Sequence, residues 1–176
     1  SSWKSARLIF VDESGVNLSM TRSVAWAKVG ERALDDVPGD RWSNYSVIAG
    51  LRASGIVAPM IVPGAIDGQA MLQWVSRCLA PELNPGDVVI WDNLSVHGDA
   101  RLRGPIEGRG AGLVFLPPYS PDLNPIEQAW SKTKSILRKL RPRRWKRLLS
   151  ALSMALKAIT GTDAIGWFKH AGYAAP

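Results

Sequence analysis

Val88-Val-Ile-Trp-Asp92-Asn-Leu-Ser-Val-His97 reads as a short buried strand that carries an acid to its end. Four apolar residues run straight into Asp92, then into an amide and loop chemistry. Open α/β sheets place their ligands at the carboxyl ends of strands, and Asp92 falls there. Two more acids share that logic. Asp12 closes the run Leu8-Ile-Phe-Val11, and Glu127 follows Leu113-Val-Phe-Leu116 and the loop Pro117-Pro-Tyr-Ser-Pro-Asp-Leu-Asn-Pro125. Three carboxylates on three elements of one sheet would converge on a divalent metal.

Outward from that stretch, the chain alternates strand and helix signals. Ala6–Val11 reads as a first central strand punctuated by Ser14-Gly15, and Ser23–Ala27 as a weakly alternating second. Gly30 to Trp42 reads as a polar loop. Tyr45–Leu51 and Ile56–Val62 flank Arg52-Ala-Ser-Gly55 as a hairpin. Asp67 is placed to cap a helix over Gln69–Leu79, and Asn84-Pro85-Gly86 is a turn before the strand Asp87–Trp91. A short helix near Ala100–Arg103 precedes the last strand, Leu113–Leu116. Asn124 then fits an N-cap, with Pro125 first in the helix and Glu127 third. Ile126, Trp130, Thr133, Leu137 and Leu140 form its core stripe, and Pro142 ends it. Arg144–Ile159 is a second helix stopped by Gly161, and Asp163–His170 a third stopped by Gly172. A mixed sheet covered by helices follows, an α/β layer architecture.

The 176 residues suit one domain. A net charge of +7 favours an anionic partner, nucleic acid before an acidic membrane surface. The single cysteine, Cys78, excludes an intrachain disulfide and fits a reducing compartment. No apolar run reaches the roughly 18–20 residues a bilayer span needs, and no signal peptide is visible. The chain opens almost on its first strand and without an initiator Met, which reads as a fragment lacking an upstream domain.

Hard cations such as Mg²⁺ take oxygen ligands, usually a few carboxylates completed by water and substrate phosphates. Two such ions could activate a nucleophilic oxygen and stabilise the leaving oxygen of a phosphodiester. Asp12, Asp92 and Glu127 suit that task. The residues alone leave other readings open. An Asp at a strand end is often a turn residue, and Asn124-Pro-Ile-Glu127 is also a capping-box pattern. Glu13 and Asp122 are rival ligands.

Taken together, three segments resemble the catalytic domain of DDE transposases, in the bacterial insertion-sequence branch of the mariner-like superfamily. They are Phe10-Val-Asp12-Glu-Ser-Gly15, Trp91-Asp92-Asn-Leu-Ser-Val-His97 and Leu116-Pro-Pro-Tyr-Ser-Pro-Asp-Leu-Asn-Pro-Ile-Glu127-Gln-Ala-Trp130. Between Asp92 and Glu127 lie 34 residues, the separation that branch uses. The ending Trp167-Phe-Lys-His-Ala-Gly-Tyr173 is also similar. The resemblance implies a single domain over residues 1–176 with an RNase H-like fold, a mixed five-stranded sheet flanked by helices. It implies a catalytic, metal-binding triad of Asp12, Asp92 and Glu127 with Mg²⁺ or Mn²⁺, as two ions. It favours Asp12 over Glu13 and leaves Asp122 in the loop. Asn93 and His97 match recurrent positions and are expected near the site, organising the loop or contacting DNA. The implied reaction is cleavage of double-stranded DNA at transposon ends, followed by attack of the freed 3′-hydroxyl on target DNA. A TA target, a homodimeric assembly and a bacterial cytoplasmic, nucleoid-associated setting come with it. The N-terminal helix-turn-helix region such enzymes carry is expected to be missing from this sequence.

Nine cations fall between Lys132 and Arg147. Glu127, Ser131, Lys134 and Arg138 share one helix face, so a phosphate backbone along it would lead to the acids. Lys134, Arg138, Arg141, Arg143 and Arg144 are the expected DNA contacts. Trp130 belongs to the core stripe, and Trp42, in a polar loop, is the tryptophan expected to be exposed. Two other functions compete: an RNase H-like nuclease without strand transfer, and a non-catalytic DNA-binding or assembly domain derived from a transposase. A small-molecule enzyme is disfavoured, because no Gly-rich phosphate loop or nucleophile–base pair is evident.

Overall fold

Leu8 to Val11 is apolar at every position because its strand is buried on both faces. In the computed structural model, which describes residues 7–22, 24–34, 44–92, 100–118 and 120–173, this strand is β1 (Leu8–Asn17). Successive side chains of a strand point to opposite faces. Leu8 and Phe10 therefore join one core with Val47, Ala49, Val88 and Ile90. Ile9 and Val11 join another with Ile48, Val89 and Trp91.

The other strands are β2 (Asn44–Arg52), β3 (Gly55–Pro63), β4 (Val88–Trp91) and β5 (Gly112–Phe115), and the five form one sheet in the order β3-β2-β1-β4-β5. β1, β2 and β3 pair antiparallel, and β4 lies parallel to β1 and to β5. The β2–β3 hairpin falls where the sequence puts it. Gly55 takes φ 125° at its turn, a conformation that side-chain-bearing residues rarely adopt.

Helices cover both faces. On the second core lie α1 (Gly68–Trp74), with its π-helical continuation Val75–Leu79, and α2 (Arg103–Glu107). Asp67 caps α1 as expected, accepting from the Ala70 amide at 2.8 Å. On the first core lie α3 (Ile126–Leu140), α4 (Trp145–Lys157) and α5 (Gly161–His170). Among the described residues no single helix is long and apolar enough to cross a membrane.

Four expectations change. β1 does not stop at Ser14-Gly15, because β2 pairs with it as far as Asn17 opposite Asn44. The described residues of Ser23–Ala27 form no strand, since Val24 and Trp26 are 82% and 101% exposed with no neighbouring strand to pair with. Gly161 opens α5 instead of merely closing the helix before it, because Thr160 is an N-cap. The helix expected from Pro125 starts at Ile126, with Pro125 as its cap residue.

Asp163 joins two of these helices. Its carboxylate accepts from the Thr160 amide and hydroxyl at the start of α5, both at 2.8 Å, and from Lys132 Nζ of α3 at 2.7 Å. The Lys132 hydrogen bond, then those from Thr160, hold the Asp163 carboxyl down at about 2. A folded-state value below the ordinary 3.8 means that the contribution is complete above that value and disappears as pH falls toward 2. Asp163→Ala is therefore expected to shrink the stability difference between pH 5 and pH 2.5, read as urea midpoints against wild type. An unchanged difference would remove the tether from the account.

Candidate active site

The site begins where the parallel pairing of β1 and β4 stops. The last paired residues are Val11 and Trp91, so Asp12 and Asp92 are the next residue on each strand. Both continue the parity of the first core, set by Leu8 and Phe10 on β1 and by Val88 and Ile90 on β4. Both acids thus belong to the sheet face covered by α3. Glu13 has the other parity. It stands opposite Ile48 of the second core, whereas Asp12 stands opposite Ala49 of the first. Side-chain alternation separates two adjacent acids that the residues alone left as rivals.

Glu127 comes to the same face on the first turn of α3. The capping-box alternative is not realised. Pro125 occupies the cap position, no side chain caps α3, and Asn124 Oδ1 has no hydrogen-bond partner although the residue is buried. The approach to α3 is fixed instead by the end of the chain. Tyr173 donates its hydroxyl to the Leu123 carbonyl at 2.8 Å, and its ring packs edge-on against Phe10 at 4.8 Å between centroids. Phe168 of α5 packs on Phe10 as well, at 5.1 Å. The closing segment thereby ties the proline-rich loop to the strand that carries Asp12. Asp122 sits in the preceding 3₁₀ turn, Pro121–Leu123, and is exposed.

Asp12 is the electrostatic centre. It is buried, and its carboxyl is pushed up from 3.8 to about 8, first by burial, then by the charges of Glu127, Glu13 and Asp92, against a lowering hydrogen bond from the Glu13 backbone. Trp130 Nε1 donates to Asp12 Oδ2 at 3.1 Å. That contact is invisible in sequence, where Trp130 is one member of an apolar stripe. The available signal was its place three residues after Glu127, on the next turn of the same helix. Its indole belongs to the core and its N–H to the site, as amphipathic aromatics allow.

Carboxylates gathered around one buried acid are hard oxygen donors of the kind a divalent cation such as Mg²⁺ or Mn²⁺ takes. The donor chemistry fits, with Asp12 and Asp92 supplied by the sheet and Glu127 by the helix. The side chains do not form a finished cage: among the described residues no three His, Cys, Asp or Glu groups converge closely enough to hold a metal. Glu127 is exposed on α3, and its charge raises the Asp12 carboxyl more than those of Glu13 and Asp92.

Of the other expected contacts, Asn93 and His97, like Trp42, lie outside the described residues. Lys134 and Arg138 are half-buried on α3, and Arg144 is exposed just before α4. Arg141 ends α3 with φ 47°. Arg143 has an internal task. Its guanidinium donates to the carbonyls of Leu18 and Met20, at 2.7 and 3.1 Å, and so anchors the segment leaving β1. Lys132 is likewise taken by Asp163.

The family profile described as DDE superfamily endonuclease matches residues 7–149. No curated protein matches the sequence. Among solved structures, a mariner Mos1 paired-end complex with Mg is similar with a TM-score of 0.75 at 15% identity, over 96% of this chain and 54% of that one. The Mos1 strand transfer complex gives a TM-score of 0.69 at 16% identity, over 95% and 51%. The catalytic domain of Mos1 mariner transposase gives 0.65 at 14% identity, over 96% and 76%. This chain thus spans about half the length of the Mos1 chains in those complexes. The mixed five-stranded sheet flanked by helices is the RNase H-like fold, as expected.

Two tests follow from this geometry. Because the Asp12 carboxyl is raised in the folded state, its contribution to stability is complete below 3.8 and is lost as pH rises through about 8. Asp12→Asn cannot ionise, so its stability relative to wild type should climb from pH 5 to pH 9. The climb is on the order of 1.4 kcal/mol for each factor of ten by which folding raises the proton affinity of Asp12. Denaturant melts at three pH values check this, and a flat difference would contradict it. Tyr173→Phe should cost about 0.5–1.5 kcal/mol of stability through the lost hydrogen bond. It should also weaken Mn²⁺ binding in a calorimetric titration, by releasing the loop before Glu127.

Proposed function

The chain belongs to the DDE superfamily endonuclease family, and on that premise we propose that it is the catalytic domain of a mariner-like transposase. In this reading it cleaves double-stranded DNA at transposon ends and joins the freed 3′-hydroxyl to target DNA. The observation that carries it is that Asp12 and Asp92 each follow the last pair of the β1–β4 register, Val11 with Trp91, on the face where α3 begins with Glu127.

Asp12, Asp92 and Glu127 are the ligands of one or two divalent ions, Mg²⁺ or Mn²⁺. The bound ions supply activation of the attacking oxygen and stabilisation of the leaving oxygen. The protein's own part is positioning. Trp130 fixes the rotamer of Asp12 through its indole N–H. Asp12, whose carboxyl is pushed up to about 8 by burial and by the charge of Glu127, would hold a cation as the carboxylate, so affinity should tighten as pH rises toward 8. Both strands pair with neighbours up to the acids, which keeps the reacting phosphate in a fixed frame. Lys134, Arg138, Arg141 and Arg144 hold the DNA backbone, with Asn93 and His97 proposed as further loop-organising or DNA-contacting groups. Contacts of this kind position DNA without reading its sequence.

A homodimer is part of the proposal. Val24, Trp26, Val29 and Leu34 are all highly exposed on the one segment that leaves the sheet after β1, a concentration of apolar surface that favours a protein contact.

The test is strand transfer from a pre-cut end with Mn²⁺, comparing wild type with Asp92→Ala. Joined products from wild type, reduced at least ~100-fold in the variant with DNA affinity kept within a few-fold, are the expected result. Nicked DNA without joined products would mean a nuclease only. Equal behaviour of the two proteins would sink the catalytic reading.

A further inference from the structure

A cavity of about 410 Å³ opens beside Glu127. Asp122, Asn124, Glu127 and Gln128 line it from the proline-rich loop and the start of α3, and Trp167 and His170 line it from α5. One atom there is left over from the packing. Asn124 is 5% exposed, and its Oδ1 has no hydrogen-bond partner among the described residues. Its backbone is satisfied: the amide donates to the Pro121 carbonyl at 2.9 Å, and the carbonyl accepts from the Glu127 amide at 3.2 Å. A buried acceptor left open costs stability, so an apolar side chain of the same size would serve the fold better. Such an atom suits a donor that a ligand brings. The walls narrow the choice of ligand. Among the described residues the lining carries two carboxylates and no Lys or Arg, a field that repels phosphate. Trp167 adds an indole and Gln128 a second amide. A flat, uncharged ring with N–H donors on its edge fits these walls, and a nucleobase is such a ring.

We propose, on the DNA-cleaving reading above, that this cavity holds the base of the 3′-terminal nucleotide of the cut strand. The base is unstacked from the duplex, an edge N–H donates to Asn124 Oδ1, and the ring lies against Trp167. Glu127 lines the cavity, and its charge acts on Asp12. A strand whose 3′-hydroxyl lies at the acids therefore has its last base within a nucleotide's reach of the cavity. The end of a duplex is also where a base leaves the stack at least cost. Held by its base, the terminal nucleotide keeps its hydroxyl aimed for attack. An arginine side chain from a second copy would also donate to Asn124, but it would fill far less of the space.

The experiment measures affinity of the whole chain, in Ca²⁺, for two duplexes that differ only in the 3′-terminal residue, one intact and one abasic. Wild type should prefer the intact end by about tenfold, the scale of one base stacked on an aromatic ring. Asn124→Leu and Trp167→Leu should each erase most of that preference, and Asn124→Asp, which keeps an acceptor, should retain it. Asn124→Leu should at the same time raise the urea midpoint, because it removes the open acceptor. An abasic residue well inside the duplex should leave all four proteins alike. Equal affinity of wild type for the two ends overturns this proposal alone, and so does a preference that survives both leucine variants. A lowered urea midpoint in Asn124→Leu would give the side chain a structural task and overturn it as well. Weakened self-association in Asn124→Leu, with the preference intact, would assign the cavity to a side chain of a second copy. Failure of wild type to bind either duplex removes the DNA reading with it.

Discussion

Everything at the acid centre depends on one register. β1 and β4 are separated by 70 residues of chain, and they run parallel with Val11 opposite Trp91. One step further, Asp12 and Asp92 stand side by side. Because strand side chains alternate, a slip of one residue would send either acid to the opposite face, into the apolar environment of Ile48 and Trp91. The apolar alternation that builds two cores is therefore also what brings the two carboxylates together. Burial on both faces makes that register hard to change.

The helical layer supplies the third acid, and three tethers set its position. Lys132 binds Asp163 and joins α3 to α5; Tyr173 binds the Leu123 carbonyl; Arg143 binds the carbonyls of Leu18 and Met20. Each joins a residue a few positions from an acid to one later in the chain. The cationic surface is consequently less uniform than its composition suggests. Some of its charges work inside the protein, and others gather at particular places, such as a cleft lined by Arg22, Arg138 and Lys139.

Much of this was legible because local chemistry and tertiary structure agree. The hairpin, the Asp67 cap, the strand ending at Asp92 and the three closing helices follow from apolar period and turn residues. The failures have physical causes. Ser23–Ala27 alternates like a strand, but alternation needs a partner strand, and among the described residues none pairs with Val24 or Trp26. Asn124-Pro-Ile-Glu127 has the residues of a capping box, but Pro125 takes the cap position. The choice between Asp12 and Glu13 needed the pairing of β1 with β2, a fact about strand partners. The bond from Trp130 to Asp12 spans 118 positions, and no local pattern encodes it.

The strand order also has a consequence for assembly. The hairpin of β2 and β3 and its pairing with β1 join segments close in sequence, whereas the β1–β4 contact must close a much longer loop. Loop-closure entropy favours the near contacts first and defers the far one. Asp12 is then already on a paired strand while Asp92 is still remote, and partly formed chains carry a single acid. Two neighbouring carboxylates exist only once the central parallel pair has zipped. A centre with both carboxylates thus waits on a long-range step of folding, and chains that have not made it hold the two acids apart.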